Sequence, residues 1–216
     1  MADDGTTVIL VRHAESTWNE MRRWQGQADP PLSELGRVQA RRVAERLRTE
    51  PITALYTSDL RRASETARII GEVLGLEARP EPRLRELDLG AWAGLTSEEI
   101  AVCFPEQFQA WQEHKAVRPG GGELFDEMQQ RAVEALQEIV AAHPGETICL
   151  VTHGGIVYAL RGYVLGIRRG SALFEGLPHN RNTAITVLRF RDGSAAIELL
   201  MDARHLEDIG DQVAEM

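Results

Sequence analysis

The chain has 216 residues, 43% of them hydrophobic and 26% charged, with a formal net charge of −9 and a pI near 5.2. That length suits one well-cored domain, and the acidic balance argues against a dedicated nucleic-acid binder, which would show a dominant basic face. It still admits a small anionic substrate, because a few converging arginines make a pocket positive inside an acidic protein. No apolar run approaches ~20 residues, so no membrane-spanning helix is expected. Met1 to Gly5 lacks the basic and apolar regions of a secretory signal. Cys103 and Cys149 lie in apolar settings without paired spacing. They read as reduced core thiols rather than a disulfide or metal site, and the cytoplasm follows as the expected location.

In chain order, Val8-Ile9-Leu10-Val11 is a buried strand that stops at Arg12-His13. The polar stretch 14–31, punctuated by Gly26 and Pro30-Pro31, is a loop with room for one helical turn over that strand's end. Ser33 caps a helix whose apolar stripe is Leu35, Val38, Val43, Ala44 and Leu47, with Arg41, Arg42, Arg46 and Arg48 on its solvated face. A strand over 54–58 precedes a helix over 59–75 that stops at Gly75. Arg61 and Arg62 fall in that helix's first turn, where the dipole disfavours cations and free N–H groups attract an anion. An irregular connection, 84–94, carries Glu86. Thr96-x-x-Glu99 is a capping box. A helical patch over 106–115, a glycine loop at 119–122 and a long amphipathic helix over 123–142 follow. A second apolar strand, 147–152, ends at His153, and Gly154-Gly155 turns into a helix reaching Leu165. Two alternating segments around Arg191-Asp192-Gly193 form a hairpin with an Asp-Gly turn. The acidic tail after Asp202 is expected to be frayed or loosely docked.

Strands alternating with helices predict a three-layer α/β/α sandwich with a mostly parallel sheet and a C-terminal antiparallel hairpin. In such sheets ligands bind beyond the carboxyl ends of the strands. Two strand-to-histidine junctions 140 positions apart therefore bring His13 and His153 to one edge. Phosphate monoesters demand up to ~10²¹-fold acceleration. A metal-free solution needs a nucleophile, fixed cationic donors for the phosphoryl oxygens, and an acid for the leaving oxygen. An imidazole attacks phosphorus if its other nitrogen is held by an acceptor, and guanidinium groups match phosphoryl oxygens in pairs. His13, Arg12, Arg62, His153 and Glu86 make such a set, each at an element end or in a loop.

Four ordered blocks resemble the histidine phosphatase superfamily, also called the phosphoglycerate mutase-like family. They are LVRHAES–W–N followed by G-x-x-D-x-x-LSELG, then TSDLRRASETA, LRELDLGAWAGL and VTHGGI. The resemblance spans about residues 8–155 and implies a single domain over 1–216 with a helical insert at about 96–142 covering the active site. By position it implies His13 as the phosphorylated nucleophile, with Arg12, Arg62 and His153 around the phosphate. Glu86 then stands where the family's proton donor and later base stands. Asn19 matches a side chain that contacts a phosphoryl oxygen, Gln25 and Gly26 align with a loop beside the substrate, and Gly154 follows His153 at the helix start. The family needs no metal, no cofactor is expected for this chain, and the implied partner is a small phosphorylated metabolite, with no nucleic acid and no membrane. Dimers are frequent in the family, so a homodimer is an expectation. Where the family reads Gly-Glu-Ser this chain reads Gly122-Glu123-Leu124, which removes a hydroxyl near the expected pocket rim.

Other candidates read as structural. His114, His143, His179 and His205 are surface or cap residues, with His179 and Asn180-Arg181-Asn182 also able to line the rim. Trp18, Trp24, Trp92 and Trp111 are packing residues, although Trp24 and Trp92 lie inside the motif blocks and one of them is a candidate substrate contact. Glu15 is read as a charge partner for the active-site arginines or the loop. Between hydrolase and mutase, hydrolase is favoured. Glu86 and His153 are only 67 positions apart, and Lys115, Arg118 and Arg131 are the only basic residues between them, few for clamping a second phosphate. The alternative is a cofactor-dependent phosphoglycerate mutase, and the remaining one a binding module without chemistry.

Overall fold

The computed structural model describes residues 5–167, 169 and 181–209. Strand β1 (Thr6–Arg12) is the pivot of the sheet. Its segment Val8-Ile9-Leu10-Val11 is buried on both faces, as a central strand covered on both sides must be. β2 (Ile52–Thr57), β3 (Ala78–Pro80) and β4 (Thr147–Thr152) run parallel to it, while β5 (Ile185–Arg191) and β6 (Ser194–Asp202) form the antiparallel hairpin. The strand order is β3-β2-β4-β1-β5-β6. Thus β1 has no partner near it in sequence and pairs only with β4 and β5.

Side chains alternate across the sheet and divide the core in two. Ile9, Val11, Cys149 and Val151 pack against α2 (Glu34–Leu47) and α3 (Arg61–Leu74) through Ala40, Val43, Leu47, Ala63 and Ile70. Val8, Leu10, Ile148 and Leu150 pack on the other face against α6 (Phe125–Ala142) and α7 (Gly154–Leu165) through Met128, Ala132, Leu136, Ile156 and Leu160. The short helices α1 (Thr17–Glu20), α4 (Ser97–Cys103) and α5 (Pro105–Gln112) lie outside these layers. α4 opens on the expected capping box: the Thr96 N–H donates to Glu99 Oε2 at 2.9 Å and the Glu99 N–H donates to Thr96 Oγ1 at 3.2 Å.

Several expectations change in detail. The buried stripe of α2 is Gly36, Gln39, Ala40, Val43, Ala44 and Leu47; Leu35 and Val38 sit on its flanks, half-buried. β3 is only three residues long and ends on Pro80, with Pro82 just beyond, so its pattern does not read as a strand, yet an edge strand tolerates Pro80. Cys149 is a core thiol, pushed up to about 12 by burial, whereas Cys103 is exposed. The chain after Asp202 is not frayed as far as it is described. Residues 204–209 form a 3₁₀ turn that buries Leu206 and joins His205 Nε2 to Thr183 Oγ1 at 3.0 Å. The hairpin turn holds Asp192 at φ +50° and Gly193 at φ +75°, the backbone that an Asp-Gly turn supplies.

The Gly-Glu-Leu departure also finds its physical meaning. Leu124 is the N-cap of α6, and its own N–H donates to Glu127 Oε2 at 3.0 Å. A serine there would add the side-chain acceptor that a leucine lacks. Leu124→Ser is therefore expected to stabilise the fold by about 1 kcal/mol, read as a rise in melting temperature of about 2–4 °C.

Candidate active site

The site follows from strand register. β1 and β4 pair Arg12 with Thr152, so the next residue of each strand is a histidine at the same edge. The His13 N–H donates to the Thr152 carbonyl at 2.8 Å, and the two imidazole centroids lie 5.2 Å apart at 59°. Both rings are buried. His13 Nδ1 is 2.7 Å from the Ala14 carbonyl, which can only accept, so Nδ1 carries the hydrogen and Nε2 keeps its lone pair. Arg62 Nε donates to that Nε2 at 3.3 Å. Burial, then the Arg62 and Arg12 charges, hold His13 well below the usual imidazole range.

His153 is held the same way, by burial first and then by Arg62. Its Nε2 meets Ser58 Oγ at 2.8 Å, and its Nδ1 is buried with no protein partner. Ser58 is wholly buried, and its oxygen also accepts the Leu60 N–H at 3.3 Å.

Arg12, the last residue of β1, and Arg62, in the first turn of α3, are both buried. Burial lowers each to about 10, against the opposing pull of the Glu86 carboxylate, so both stay charged at neutral pH. Arg62 is fixed by two carbonyls of the loop, Gly26 at 2.7 Å and Ala28 at 2.8 Å. The anion anticipated at the start of α3 is internal: Asp29 Oδ1 accepts the Arg61 N–H at 2.5 Å. Glu86 reaches the edge from the irregular connection. Its Oε1 accepts the Leu87 N–H at 2.9 Å and its Oε2 the Gly155 N–H at 3.0 Å. A Cβ on Gly155 would fall 2.3 Å from Glu86 Oε1, so only glycine admits this approach. Gly154 lies beside Arg12, where a Cβ would meet the guanidinium carbon at an ordinary 3.6 Å.

Asn19 and Gln25 are buried around Ser16, whose Oγ donates to Gln25 Oε1 at 2.7 Å and whose N–H donates to Asn19 Oδ1 at 3.1 Å. With their oxygens engaged, the two amides have their nitrogens to offer. Gly26, at φ +52°, contributes its carbonyl to Arg62. Arg12, His13, Arg62, Glu86, His153 and Gly154 thus converge on one edge, with Asn19, Gln25 and Gly26 in the adjoining loop.

One residue was not singled out from the sequence, and another takes a different place from the one expected. Ser58 sits in the second motif block, and its burial was the only missing clue. Asn182, read as a rim residue, is buried, and its Nδ2 donates to the His13 carbonyl at 2.9 Å. Next to it, Thr183 adopts φ +56°, strained for a β-branched residue, while its N–H donates to the Arg12 carbonyl at 3.0 Å.

The remaining candidates take supporting places. Of the two roles expected for Glu15, it holds the loop, accepting from Ser33 Oγ at 2.6 Å. Trp92 is fully buried in the core, and Trp24 packs on it while donating from Nε1 to Ser97 Oγ at 3.0 Å. His143 is a helix C-cap, bonded to Tyr56 Oη and Glu146, and His205 is the partner of Thr183. His179 and Asn180 lie outside the described residues.

A sequence model of the histidine phosphatase superfamily (branch 1) matches residues 8–203. The chain belongs to the histidine phosphatase superfamily. Among members of this superfamily it is 39% identical over 212 residues to phosphoglycerate mutase-like protein 4 of Arabidopsis thaliana, covering 96% of this chain and 90% of that protein. It is 38% identical to a metal-independent phosphoserine phosphatase of Arabidopsis thaliana, over 95% and 85% of the two chains. A mycobacterial glucosyl-3-phosphoglycerate phosphatase solved with VO3 superposes with a TM-score of 0.84 at 34% identity, covering 91% of this chain and 99% of that one.

Neutral buried imidazoles make a direct prediction. In an NMR titration, His13 and His153 remain mostly neutral at pH 6, where an exposed histidine, with its ordinary value of about 6.5, is mostly charged. Half-protonation of either ring at pH 6.5 or above contradicts this geometry.

Proposed function

We propose that this histidine phosphatase superfamily member hydrolyses small phosphate monoesters through a phosphohistidine on His13. The observation that carries the reading is a neutral imidazole whose Nε2 lone pair faces a buried guanidinium, 5.2 Å from a second neutral imidazole. In the first step His13 Nε2 attacks phosphorus and the bond to the leaving oxygen breaks, while Glu86 delivers the proton that oxygen needs. Arg12 and Arg62 take the phosphoryl oxygens, joined by His153, the Asn19 and Gln25 amides, and the backbone beside Gly26 and Gly154. The Ser58 hydroxyl, which accepts the Leu60 N–H, lies against His153 Nε2; donating there, it places the imidazole hydrogen on Nδ1, the donor to phosphate in this reading. In the second step Glu86 takes a proton from the attacking water, the N–P bond breaks, and inorganic phosphate leaves with His13 and protonated Glu86 restored.

Hydrolysis is favoured over mutase chemistry by the fate of the three basic residues between Glu86 and His153. Lys115 pairs with Glu113, Arg118 with Glu127 and Arg131 with Glu123, all within 2.7 Å, which leaves none of them for a second phosphate. Phosphoglycerate mutase is the second reading, kept by the mutase-like relative. The names of two similar proteins, for phosphoserine and for glucosyl-3-phosphoglycerate, guide the choice of substrates to test.

We read the chain as one such domain, acting in the cytoplasm as a homodimer on a phosphorylated metabolite, without cofactor, nucleic acid or membrane. Its two free thiols and its acidity support this, and no helix among the described residues is long and apolar enough to cross a membrane. The segment that covers the site is best confined to 96–122, because α6 is a core layer of the sandwich.

His13→Ala is expected to lower phosphate release by about 10³-fold or more. It should also abolish the acid-labile, base-stable label that a ³²P-ester leaves on the wild-type chain; retention of either activity or label overturns the reading. Conversion of 3- to 2-phosphoglycerate faster than phosphate release would favour the mutase. Glu86→Gln should lower kcat/KM by about 10²-fold or more for alkyl phosphates and far less for aryl phosphates, whose leaving oxygen needs little protonation.

A further inference from the structure

Glu86 stands on backbone without regular structure, between 3₁₀ turns at Pro82–Leu84 and Gly90–Trp92. A side chain that must hand over a proton has to be held within a fraction of an ångström, and such a segment supplies no ladder to hold it. Three carbonyls here go instead to one guanidinium, and the Glu86 carbonyl also accepts from Gln27 Nε2 at 3.2 Å. Arg131, on α6, which packs in the same core as this segment, donates from Nη1 to the carbonyls of Arg83 and Arg85, both at 2.6 Å, and from Nη2 to the Glu86 carbonyl at 3.0 Å. Its remaining N–H groups go to Glu123, Nε to Oε1 at 2.7 Å and Nη2 to Oε2 at 2.8 Å. All five donors of the guanidinium are used, so Arg131 has none left for substrate. Glu123 in turn straps the far side of the segment. Its N–H donates to the Asp88 carbonyl at 2.9 Å and its Oε2 accepts the Asp88 N–H at 3.3 Å. The backbone on both sides of Glu86 is thereby tied to one ion pair that is largely buried, at 20% and 16% side-chain exposure.

We infer that Arg131 and Glu123 are positioning residues for the proton donor: together they fix the Glu86 backbone, and through it the direction in which the carboxyl meets the leaving oxygen. This rests on the reading of Glu86 as the acid. A lysine cannot replace Arg131, because three donors on a point charge cannot serve three carbonyls and both carboxylate oxygens. Glu123→Gln keeps the shape and removes the charge that holds the fork in place.

The test compares Arg131→Lys, Glu123→Gln and Glu86→Gln on an alkyl ester, 2-glycerophosphate, and an aryl ester, p-nitrophenyl phosphate. It reads kcat/KM, which covers binding and transfer to His13 and leaves out the later hydrolysis step. Arg131→Lys should lose about 10²-fold on the alkyl ester and at most about threefold on the aryl ester, while keeping the label-forming capacity of the wild type. Glu123→Gln should move the alkyl-to-aryl ratio the same way by about tenfold, and it carries the test if Arg131→Lys does not fold. Equal losses on both esters, or no loss on either, overturn the positioning role. If Glu86→Gln shifts the ratio and neither partner variant does, the inference fails and the acid stands. If Glu86→Gln leaves the ratio unchanged, both fail.

Discussion

The parallel pairing of β1 with β4 is the constraint on which the rest depends. Because Arg12 faces Thr152 in that register, two histidines far apart in sequence leave the sheet side by side. A slip of one residue would turn every alternate side chain to the wrong face, and the two separate cores forbid it. The distance between the imidazoles is thus fixed by apolar side chains that never touch a ligand. Everything added afterwards, from the α3 arginine to the Glu86 segment, is fastened to an edge that the core has already set.

Burial then sorts the charges at that edge. The same removal of water lowers an arginine and a histidine, but with opposite practical results. Arg12 and Arg62 fall only to about 10 and stay cationic, while His13 and His153 fall below the range in which they would be charged. A cationic cradle with uncharged nitrogen between its arms is what an anionic phosphoryl group and a nitrogen nucleophile both require. Neutral histidines beside charged arginines are therefore a consequence of the packing.

Much of this was legible in the residues. Apolar runs ending in histidine gave the two central strands, Gly75 and Ser33 gave helix ends, and Asp192-Gly193 gave the hairpin. The converging set Arg12, His13, Arg62, Glu86 and His153 followed from motif blocks that lie in order along the chain. What stayed hidden depends on contacts between distant positions. Ser58 is one hydroxyl among many until it is seen against His153, 95 positions away. Asn182 could be placed near the pocket but not beneath the His13 carbonyl. Arg131 was only a basic residue in a count, because nothing local marks a guanidinium that gathers three carbonyls from another segment. Trp92 stood in a motif block as a candidate contact, yet it is fully buried in the core, because membership of a block does not distinguish a contact from a support.

The isolation of β1 from any neighbour in sequence has a bearing on how the protein is made. During translation the segment Val8-Ile9-Leu10-Val11 emerges early, yet its strand partners, β4 and β5, lie about 140 and 180 residues behind it. At 5–20 residues per second, that leaves an apolar edge waiting for on the order of ten seconds. Until β4 follows, that edge is a ready target for a chaperone or for a neighbouring copy on the same messenger. The two histidines cannot meet before β4 has joined β1, so a fragment that stops short of His153 lacks the pair altogether.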